Sequence, residues 1–475
     1  MPDPSKHAFE DTSNARPASA APTEGEMHAH RDPYAAFGFA AYRYFSIGNF
    51  TSVIGRQMLA VAVGYEIYQR THSATALGLI GLCGAVPVTL LAIPAGHVAD
   101  RFSRRSVLLV SQFLTVFCSL CLAWVSFAGA RVPALHPLVM AGGALARLAS
   151  VFETKPGAHF DDPGVPLIFA LLFLSASARS FGWAARGALL PSLVPPRAFA
   201  NAVTWNANFF QAASVTGPAL GGLLIARFGF PFVYAADAVC ALAFFLLLLP
   251  IHAPARHDHT APRGLHDLFS GVRFVWRTKL ILATITLDLF AVLLGGATAL
   301  LPMFADEILR VGPTGLGWMR AAPAIGAVTM GVLMAWLPPM RRAGVTMLWA
   351  VAGFGAATIV FGVSKNFWLS MAMLALTGAF DNVSVVVRHT LIQLITPDPM
   401  RGRVAAVNNV FIGSSNELGA FESGLTAALW GPVASVVLGG VGTIAVVFAV
   451  IARWPQILRL KTLAAIKPDE SSGKS

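Results

Sequence analysis

Twelve long apolar stretches separated by short polar connections constrain this chain more than any other feature of its sequence. A helix needs roughly 20 apolar residues to cross about 30 Å of hydrocarbon. No stretch alternates in the way that a membrane barrel requires, so each is predicted to be a transmembrane α-helix. The predicted spans cover roughly residues 38–67, 74–96, 106–129, 165–188, 203–226, 231–250, 280–302, 315–338, 344–363, 367–388, 404–428 and 432–453.

Composition agrees with this interpretation. Hydrophobic residues make up 56% of the 475 residues and charged residues only 12%, whereas a soluble domain carries about 25% charged residues. Such a chain cannot cover a soluble surface. The sequence also lacks a Walker A motif, a metal-ligand cluster and a nucleophile–base constellation in a polar segment. We therefore expect neither an enzyme nor a cofactor or metal site.

The distribution of basic residues predicts the orientation. The formal net charge is +11, and in a membrane protein the positive-inside rule explains this excess better than nucleic-acid binding does. With the N-terminus inside, the inside connections and C-terminal tail hold 20 Lys and Arg, against seven outside. This count assigns Arg186 and Arg388 to the inside connections, at the inner ends of the fourth and tenth spans. Both termini are therefore predicted to be cytoplasmic.

The two halves of the chain repeat each other. At an offset of 202 residues, Arg186 aligns with Arg388 and Asn206 aligns with Asn408. Earlier in each half the offset is nearer 236 residues, and the difference matches an insertion at about 131–164. Six spans are thus repeated in the same orientation, with an inserted outside loop in the first half.

This organisation predicts five segments. They are a disordered cytoplasmic tail at 1–36, an N-terminal six-helix half at 37–250 with the outside insertion 131–164, a cytoplasmic linker at 251–279, a C-terminal six-helix half at 280–454 and a cytoplasmic tail at 455–475. Within the linker, an amphipathic run from Leu265 to Trp276 is expected to lie on the membrane surface.

The connection between the second and third spans carries the most specific local motif. It reads Gly-His-Val-Ala-Asp-Arg-Phe-Ser-Arg-Arg, and its motif residues are Gly96, Asp100, Arg101, Arg104 and Arg105. This spacing resembles the cytoplasmic loop signature of the major facilitator superfamily. Gly96 would allow close helix approach, and Asp100 would pair with an arginine in only one conformational state. The resemblance therefore implies a conformational latch in this loop.

A second motif lies in the fifth span, at Gly217, Pro218, Gly221 and Gly222. It resembles the end of the motif found in antiporters of that superfamily, although the upstream glycines are missing. Runs after the fourth and tenth spans, Ala188–Pro195 and Pro399–Arg403, resemble the branch of bacterial exporters that includes the enterobactin exporter and related drug-efflux proteins.

The resemblance implies an all-α fold of two parallel six-helix repeats, with a substrate site between the halves near the midplane. It implies a monomeric secondary transporter in the bacterial inner membrane. Such a protein would export a hydrophobic or amphipathic small molecule, of the drug or siderophore class, in exchange for protons. An uptake symporter or lysophospholipid flippase remains an alternative, and so does a transport-inactive sensor or scaffold that binds a partner through the insertion.

Charged residues inside predicted spans are costly in hydrocarbon and are candidates for proton coupling or substrate binding. These residues are Arg56, Arg179, Asp288, Arg320, Asp381 and Glu417. Arg179 and Asp381 are 202 residues apart and occupy equivalent places in the repeat, so they are predicted to face each other as partners. Glu66 and Asp237 lie near span ends and are expected at the membrane interface.

Overall fold

The computed structural model describes residues 32–129, 143, 147, 151, 162–251, 265–338, 340–397 and 400–460, and these form helices and connections without a strand. Twelve long helices fall at the predicted spans. They are α1 (Ala40–Thr71), α2 (Ala74–Arg101), α3 (Arg104–Ala128), α4 (Gly164–Leu193), α5 (Pro196–Phe228), α6 (Phe230–Leu248), α7 (Lys279–Leu294), α8 (Gly312–Trp336), α9 (Ala343–Val363), α10 (Phe367–Ile395), α11 (Arg401–Trp430) and α12 (Pro432–Arg453). Ten of the described helices are long and apolar enough to cross a membrane, if α7 is counted together with the short turns that follow it. Helices α1 and α11 do not meet the same requirement for apolar composition.

Local sequence sets where several of these helices begin and end. The Ser73 and Ser103 hydroxyls accept hydrogen bonds from the backbone of the first turns of α2 and α3, which satisfies donors that have no partner within the helix. Gly229 separates α5 from α6 and Gly431 separates α11 from α12, with φ of 81° and 88°. Such backbone angles favour glycine. The two glycines are 202 residues apart, so the repeat extends to the backbone turns.

The two halves use the same packing scheme. In the N-terminal half, α1 packs against α5 and α6, and α3 packs against α4 and α6. In the C-terminal half, α7 packs against α11 and α12, and α9 packs against α10 and α12. Each of these contacts therefore has its repeat equivalent in the other half, as expected for a parallel repeat.

Among the described residues, the main contacts between the halves are those of α2 with α11 and of α5 with α8. One large core combines side chains of both halves, and it lies toward the end of the bundle that holds the α1–α2 connection. We call this the closed end. Toward the opposite end, which we call the open end, separate cores lie within each half. The halves are therefore packed together at the closed end and apart at the open end.

The seventh predicted span, 280–302, differs from the structure. Regular α-helix stops at Leu294, and after Gly295-Gly296 the chain continues through a 3-10 turn (Ala297–Leu300), a short α-turn (Leu301–Met303) and a π-helical turn (Phe304–Ile308). Consecutive glycines weaken the helix at this point. The apolar pattern does not reveal the break, because hydropathy is the same in any helical form.

The predicted N-terminal tail is packed at its last residues. The Tyr34 ring lies 5.6 Å from the Trp205 ring, and the Ala36 amide donates a 3.0 Å hydrogen bond to the Asn201 side chain. The N-terminal half therefore begins several residues before 37. The predicted linker helix is present as Leu265–Arg277. The predictions for 1–31, for most of the insertion 131–164, for 252–264 and for 461–475 lie outside the described residues.

Candidate functional site

Six charged side chains are linked by electrostatic interactions that extend from the N-terminal half to its boundary with the C-terminal half, and we call them the central charge cluster. Its members are Arg56 on α1, Arg179 and Arg186 on α4, Asp237 on α6, Arg320 on α8 and Glu417 on α11. Glu417 interacts electrostatically with Arg56, Arg179 and Arg320. The cluster therefore contains four cations and two acids, drawn from both halves.

Glycines allow this cluster to cross the interface between the halves. Glu417 belongs to the C-terminal half, yet a Cβ placed on Gly84 of α2 would lie 2.7 Å from its carboxyl carbon. Likewise, a Cβ placed on Gly64 of α1 would lie 3.8 Å from Nη1 of Arg320. The missing side chain of Gly84 leaves room for Glu417, and both Glu417 and Arg320 lie on the boundary between the halves.

The arginines of the central charge cluster have no contacting carboxylate. Across the described ranges, ion pairs join Arg70 to Glu66 and Asp162, and Arg388 to Asp288. None of these pairs includes a member of the cluster. Arg186 lies over the Phe244 ring at 5.2 Å, and its buried Nε finds no hydrogen-bond partner among the described groups. Arg186 therefore keeps an unused hydrogen-bond donor among the described groups.

The two acids expected at the membrane interface are instead buried. Asp237 accepts a 2.6 Å hydrogen bond from Ser119, and Glu66 accepts a 2.5 Å hydrogen bond from Tyr234. Glu66 also pairs with Arg70 at 2.7 Å. The interfacial prediction was wrong because distance along a helix does not tell which face a side chain occupies, and both face the bundle interior.

A second candidate site lies within the C-terminal half, where α7 is interrupted. A cavity of about 230 Å³ is bordered by Gly295 and Gly296 and by three charged side chains, Asp288, Asp381 and Arg388. Arg388 forms an ion pair with Asp288, and both residues are buried. Asp381 has no ion-pair partner in the described part of the chain. We call this space the C-half cavity.

The structure thus separates residues that the sequence grouped together. Asp288 and Asp381 border the C-half cavity, whereas Arg56, Arg179, Arg320 and Glu417 belong to the central charge cluster. Arg179 interacts with Glu417 and Asp237 and forms no described ion pair with Asp381, so the predicted pairing is absent in this conformation. Equivalence in a repeat does not require contact.

Sequence reasoning missed Arg388 as a site residue. It was assigned, with Arg186, to a basic inner connection, but Arg388 is 2% exposed and paired inside the bundle. Without Arg186 and Arg388, the predicted cytoplasmic side still holds more Lys and Arg than the outside. The alignment of Arg186 with Arg388 in the repeat could have indicated that both lie inside helices, because charges in loops need not align between the two halves.

In this conformation, two arginines of the loop signature form hydrogen bonds within the N-terminal half. Arg104 donates a 2.6 Å hydrogen bond to the Ala188 carbonyl, and Arg105 donates a 3.1 Å hydrogen bond to the Leu248 carbonyl. Cations near helix C-termini are favourable. Arg101 is exposed, and a Cβ placed on Gly96 would meet nothing within 4 Å. The close approach expected at Gly96 is therefore absent while the open end is open. The Asp100 side chain lies outside the described groups.

The small residues of α5 are packing positions. A Cβ on Gly217 would lie 2.5 Å from the Gln57 side chain, and one on Gly221 would lie 2.9 Å from Met58 Cα, so both face α1. Gly222 instead faces α8, where a Cβ would lie 2.9 Å from Gly317 Cα. The motif, with Pro218 inside a continuous helix, therefore joins α5 both to its own half and to the other half.

Two tyrosines form hydrogen bonds between the halves at the closed end of the bundle. Tyr65 donates a 3.0 Å hydrogen bond to Asp306, and Tyr68 donates one to Glu307. Both tyrosines lie on α1, and both acids lie in the π-helical turn after α7, so these bonds join the two halves. The sequence analysis missed this pair, because an acidic dipeptide at a span end is typical of an ordinary connection.

Comparisons with known proteins agree on the family. Residues 45–342 match the family model described as Major Facilitator Superfamily. The chain is 27% identical over 406 residues to the Enterobactin exporter EntS of Shigella boydii serotype 18, covering 85% of this chain and 89% of that protein. The same protein of Escherichia coli O1:K1 / APEC matches with the same identity and coverage.

Solved structures show the same fold. The inward-facing, unoccupied bacterial homologue of the human lysosomal transporter Spinster has a TM-score of 0.60 at 14% identity, covering 90% of this chain and 99% of that one. The D-xylose-proton symporter has a TM-score of 0.62 at 16% identity, covering 90% and 98%. With the family match over more than half of its length, the chain belongs to the Major Facilitator Superfamily of membrane transporters.

Proposed function

We propose that the protein exports a hydrophobic or amphipathic small molecule, of the siderophore or drug class, in exchange for protons. Export is supported by the relatives at 27% identity, which are named as enterobactin exporters. The small-residue motif at Gly217–Gly222 supports the same direction. The protein acts as a monomer with a small-molecule substrate and protons as its partners.

The C-half cavity carries the proton-coupling part of this proposal. An acid inside a membrane bundle stays neutral, pairs with a cation or exchanges a proton as its surroundings change. Asp288 is paired with Arg388 while Asp381, on the same cavity, has no described ion-pair partner. Protonation of Asp288 would release Arg388, which is then free to turn toward Asp381. Glu417 links this chemistry to the interface because its neighbours belong to both halves.

Alternating access follows from the two ends of the bundle. In the described conformation the halves share a core at the closed end and have separate cores at the open end. Rocking about the α2–α11 and α5–α8 interfaces would open the first end and close the second. Substrate bound between the halves would then cross without a continuous channel.

We place the open end at the cytoplasmic face of the bacterial inner membrane, with both termini inside. The basic asymmetry supports this orientation. Reporter fusions test it: a fusion at residue 145 should report the outside and a fusion at residue 265 the inside. The same side for both fusions would contradict the twelve-span topology.

Flux measurements test the transport proposal. The purified chain in proteoliposomes should move substrate outward, in the sense of cytoplasm to periplasm, when an inward proton gradient is imposed. We expect at least one of Asp288→Asn, Asp381→Asn and Glu417→Gln to abolish gradient-driven flux while substrate still binds at zero gradient. Full flux in all three variants would place the coupling site elsewhere.

The same assay separates the alternatives. An uptake symporter would accumulate substrate together with protons, and a lysophospholipid flippase would redistribute lysophospholipid between leaflets. A transport-inactive scaffold would give no flux for any solute and would need the insertion 131–164 for its partner.

A further inference from the structure

The central charge cluster has an excess of positive charge that the described residues do not neutralise. Its four arginines face two acids, Asp237 and Glu417. Asp237 is buried and already accepts a hydrogen bond from Ser119. Glu417 interacts with three arginines at once. The formal charge of the cluster is therefore positive even when both acids are ionised.

Arg186 is the least compensated member. The charged groups that act on it are Arg56 and Arg179, both cations. Its guanidinium lies over Phe244, and its buried Nε has no hydrogen-bond partner among the described groups. Its repeat equivalent, Arg388, has Asp288 as a partner. A guanidinium presents planar donors that suit carboxylate, sulfonate or phosphate oxygens, so Arg186 has the features of a ligand-binding arginine.

The cluster lies where a transported molecule would reach it. Arg56 and Arg179 belong to the N-terminal half, whereas Glu417 and Arg320 come from the C-terminal half and touch glycine surfaces of α2 and α1. On α2 and α11, the hydroxyls of Thr89 and Ser414 lie 3.0 Å apart across the boundary between the halves. Beyond this level, toward the open end, Gly96 has no neighbour where a Cβ would lie. Glu417, which lies nearer the closed end than Ser414 on α11, is thus at the bottom of the gap between the halves. Arg186 is partly exposed and lies nearer the open end of α4 than Arg179 does.

We infer that the transported molecule is an amphipathic anion whose acidic group binds Arg186, with Arg179 and Arg56 completing the site. This inference rests on the proposed transport function and specifies its substrate class. The ligand anion supplies the charge that the cluster lacks, and Glu417 competes with it for Arg179 and Arg56. Binding of the anion would then free Glu417 to accept a proton, which connects substrate and proton at one place.

Binding of matched aryl probes tests the inference without any gradient. The full chain in phosphatidylcholine nanodiscs is titrated with naphthoate and naphthalenesulfonate, and with naphthalenemethanol and naphthylmethylammonium as neutral and cationic analogues of similar size. We expect both anions to bind at least about tenfold more tightly than the alcohol, since a charge-assisted contact is stronger than a neutral one. A second set of nanodiscs containing phosphatidylglycerol distinguishes the source of the anion, because a lipid headgroup in the site would weaken naphthoate binding there.

Variants locate the site. Arg186→Gln and Arg179→Gln should each weaken naphthoate binding at least about tenfold and leave naphthalenemethanol binding unchanged, while Arg186→Lys should retain part of the preference for anions. Arg227→Gln, which removes an exposed charge near the end of α5, is the matched control and should bind like the parent protein. Should Arg186→Gln fail to fold, Arg179→Gln and Arg186→Lys still test the site.

Three results would overturn the inference: no binding of either anion, neutral binding as tight as anion binding, or unchanged anion binding in the variants. Failure of the transport proposal is distinguishable. Anion-selective binding without gradient-driven flux would contradict the proposed proton coupling but support the binding site. Gradient-driven flux of neutral solutes without a preference for anions would contradict only the inference about the substrate.

Discussion

Arg186 and Arg388 occupy equivalent positions in the two halves, yet only Arg388 has an ion-pair partner in the described structure, Asp288. The two halves have equivalent helices, but the charged partners on those helices differ. In the C-terminal half, Arg388 is paired with Asp288 at the cavity, whereas Arg56, Arg179 and Arg186 of the N-terminal half form no ion pair among the described residues. We propose that this asymmetry gives equivalent helices different tasks, with substrate bound at α4 and protons exchanged at α7 and α10.

The buried pair gives a prediction about stability. Asp288→Asn leaves the Arg388 guanidinium buried without its counter-charge, and breaking such a pair typically costs about 3–5 kcal/mol. The double variant Asp288→Asn with Arg388→Gln removes both charges and should recover much of that loss. Thermal unfolding of the purified proteins in detergent measures the cycle. A double variant no more stable than Asp288→Asn alone would show that the pair is not coupled.

The tyrosine–carboxylate bonds at the closed end predict a shift in conformation. Tyr65→Phe with Tyr68→Phe removes two donors to Asp306 and Glu307, and a hydrogen bond to a charged group is worth about 1.5–3 kcal/mol. The closed end should therefore open in a larger fraction of molecules. Tyr44→Phe, at an exposed tyrosine without a described hydrogen bond, is the matched control.

Spin-label distances report this shift. With the four native cysteines replaced, labels at Arg227→Cys and Lys365→Cys lie on opposite halves near the closed end. We expect a longer-distance population in the tyrosine variant and none in the control. Identical distributions would mean that the apolar core alone holds this end closed.

The α5–α8 contact predicts a steric effect. A side chain on Gly222 would meet the backbone of Gly317 at about 3 Å, so Gly222→Val should separate the helices and reduce transport at least about tenfold, as overpacking a tight contact commonly costs 1–3 kcal/mol. Gly187→Val is the control, since a Cβ on Gly187 meets nothing within 4 Å. Both variants should insert normally, and equal flux in both would contradict the packing role.

The loop signature predicts an effect on transport without an effect on insertion. Asp100→Asn removes the carboxylate that is expected to pair with an arginine of a neighbouring helix in one state only, so the balance between states changes. Transport velocity should fall at normal expression, and Asp100→Glu should restore part of it because the charge is kept. Unchanged velocity in Asp100→Asn would exclude a latch at this residue.

The sequence determined the helices and their repeat. Apolar length placed all twelve long helices, because in hydrocarbon only a helix satisfies its own backbone. The sequence also showed that Arg186 aligns with Arg388 and that the two halves have the same orientation. Motif spacing also indicated the family, since the loop from Gly96 to Arg105 requires particular residue types at particular distances.

Only the tertiary structure decided which charges meet. Asp288 pairs with Arg388 rather than remaining a lone acid, Arg179 lies with Glu417 rather than with Asp381, and Glu66 and Asp237 are buried. A transmembrane helix has several faces, and hydropathy is nearly the same on all of them, so the rotation of each helix does not appear in the apolar pattern. Packing sets that rotation, through contacts such as Glu417 against Gly84, and the rotation determines which charged side chains lie close enough to form pairs.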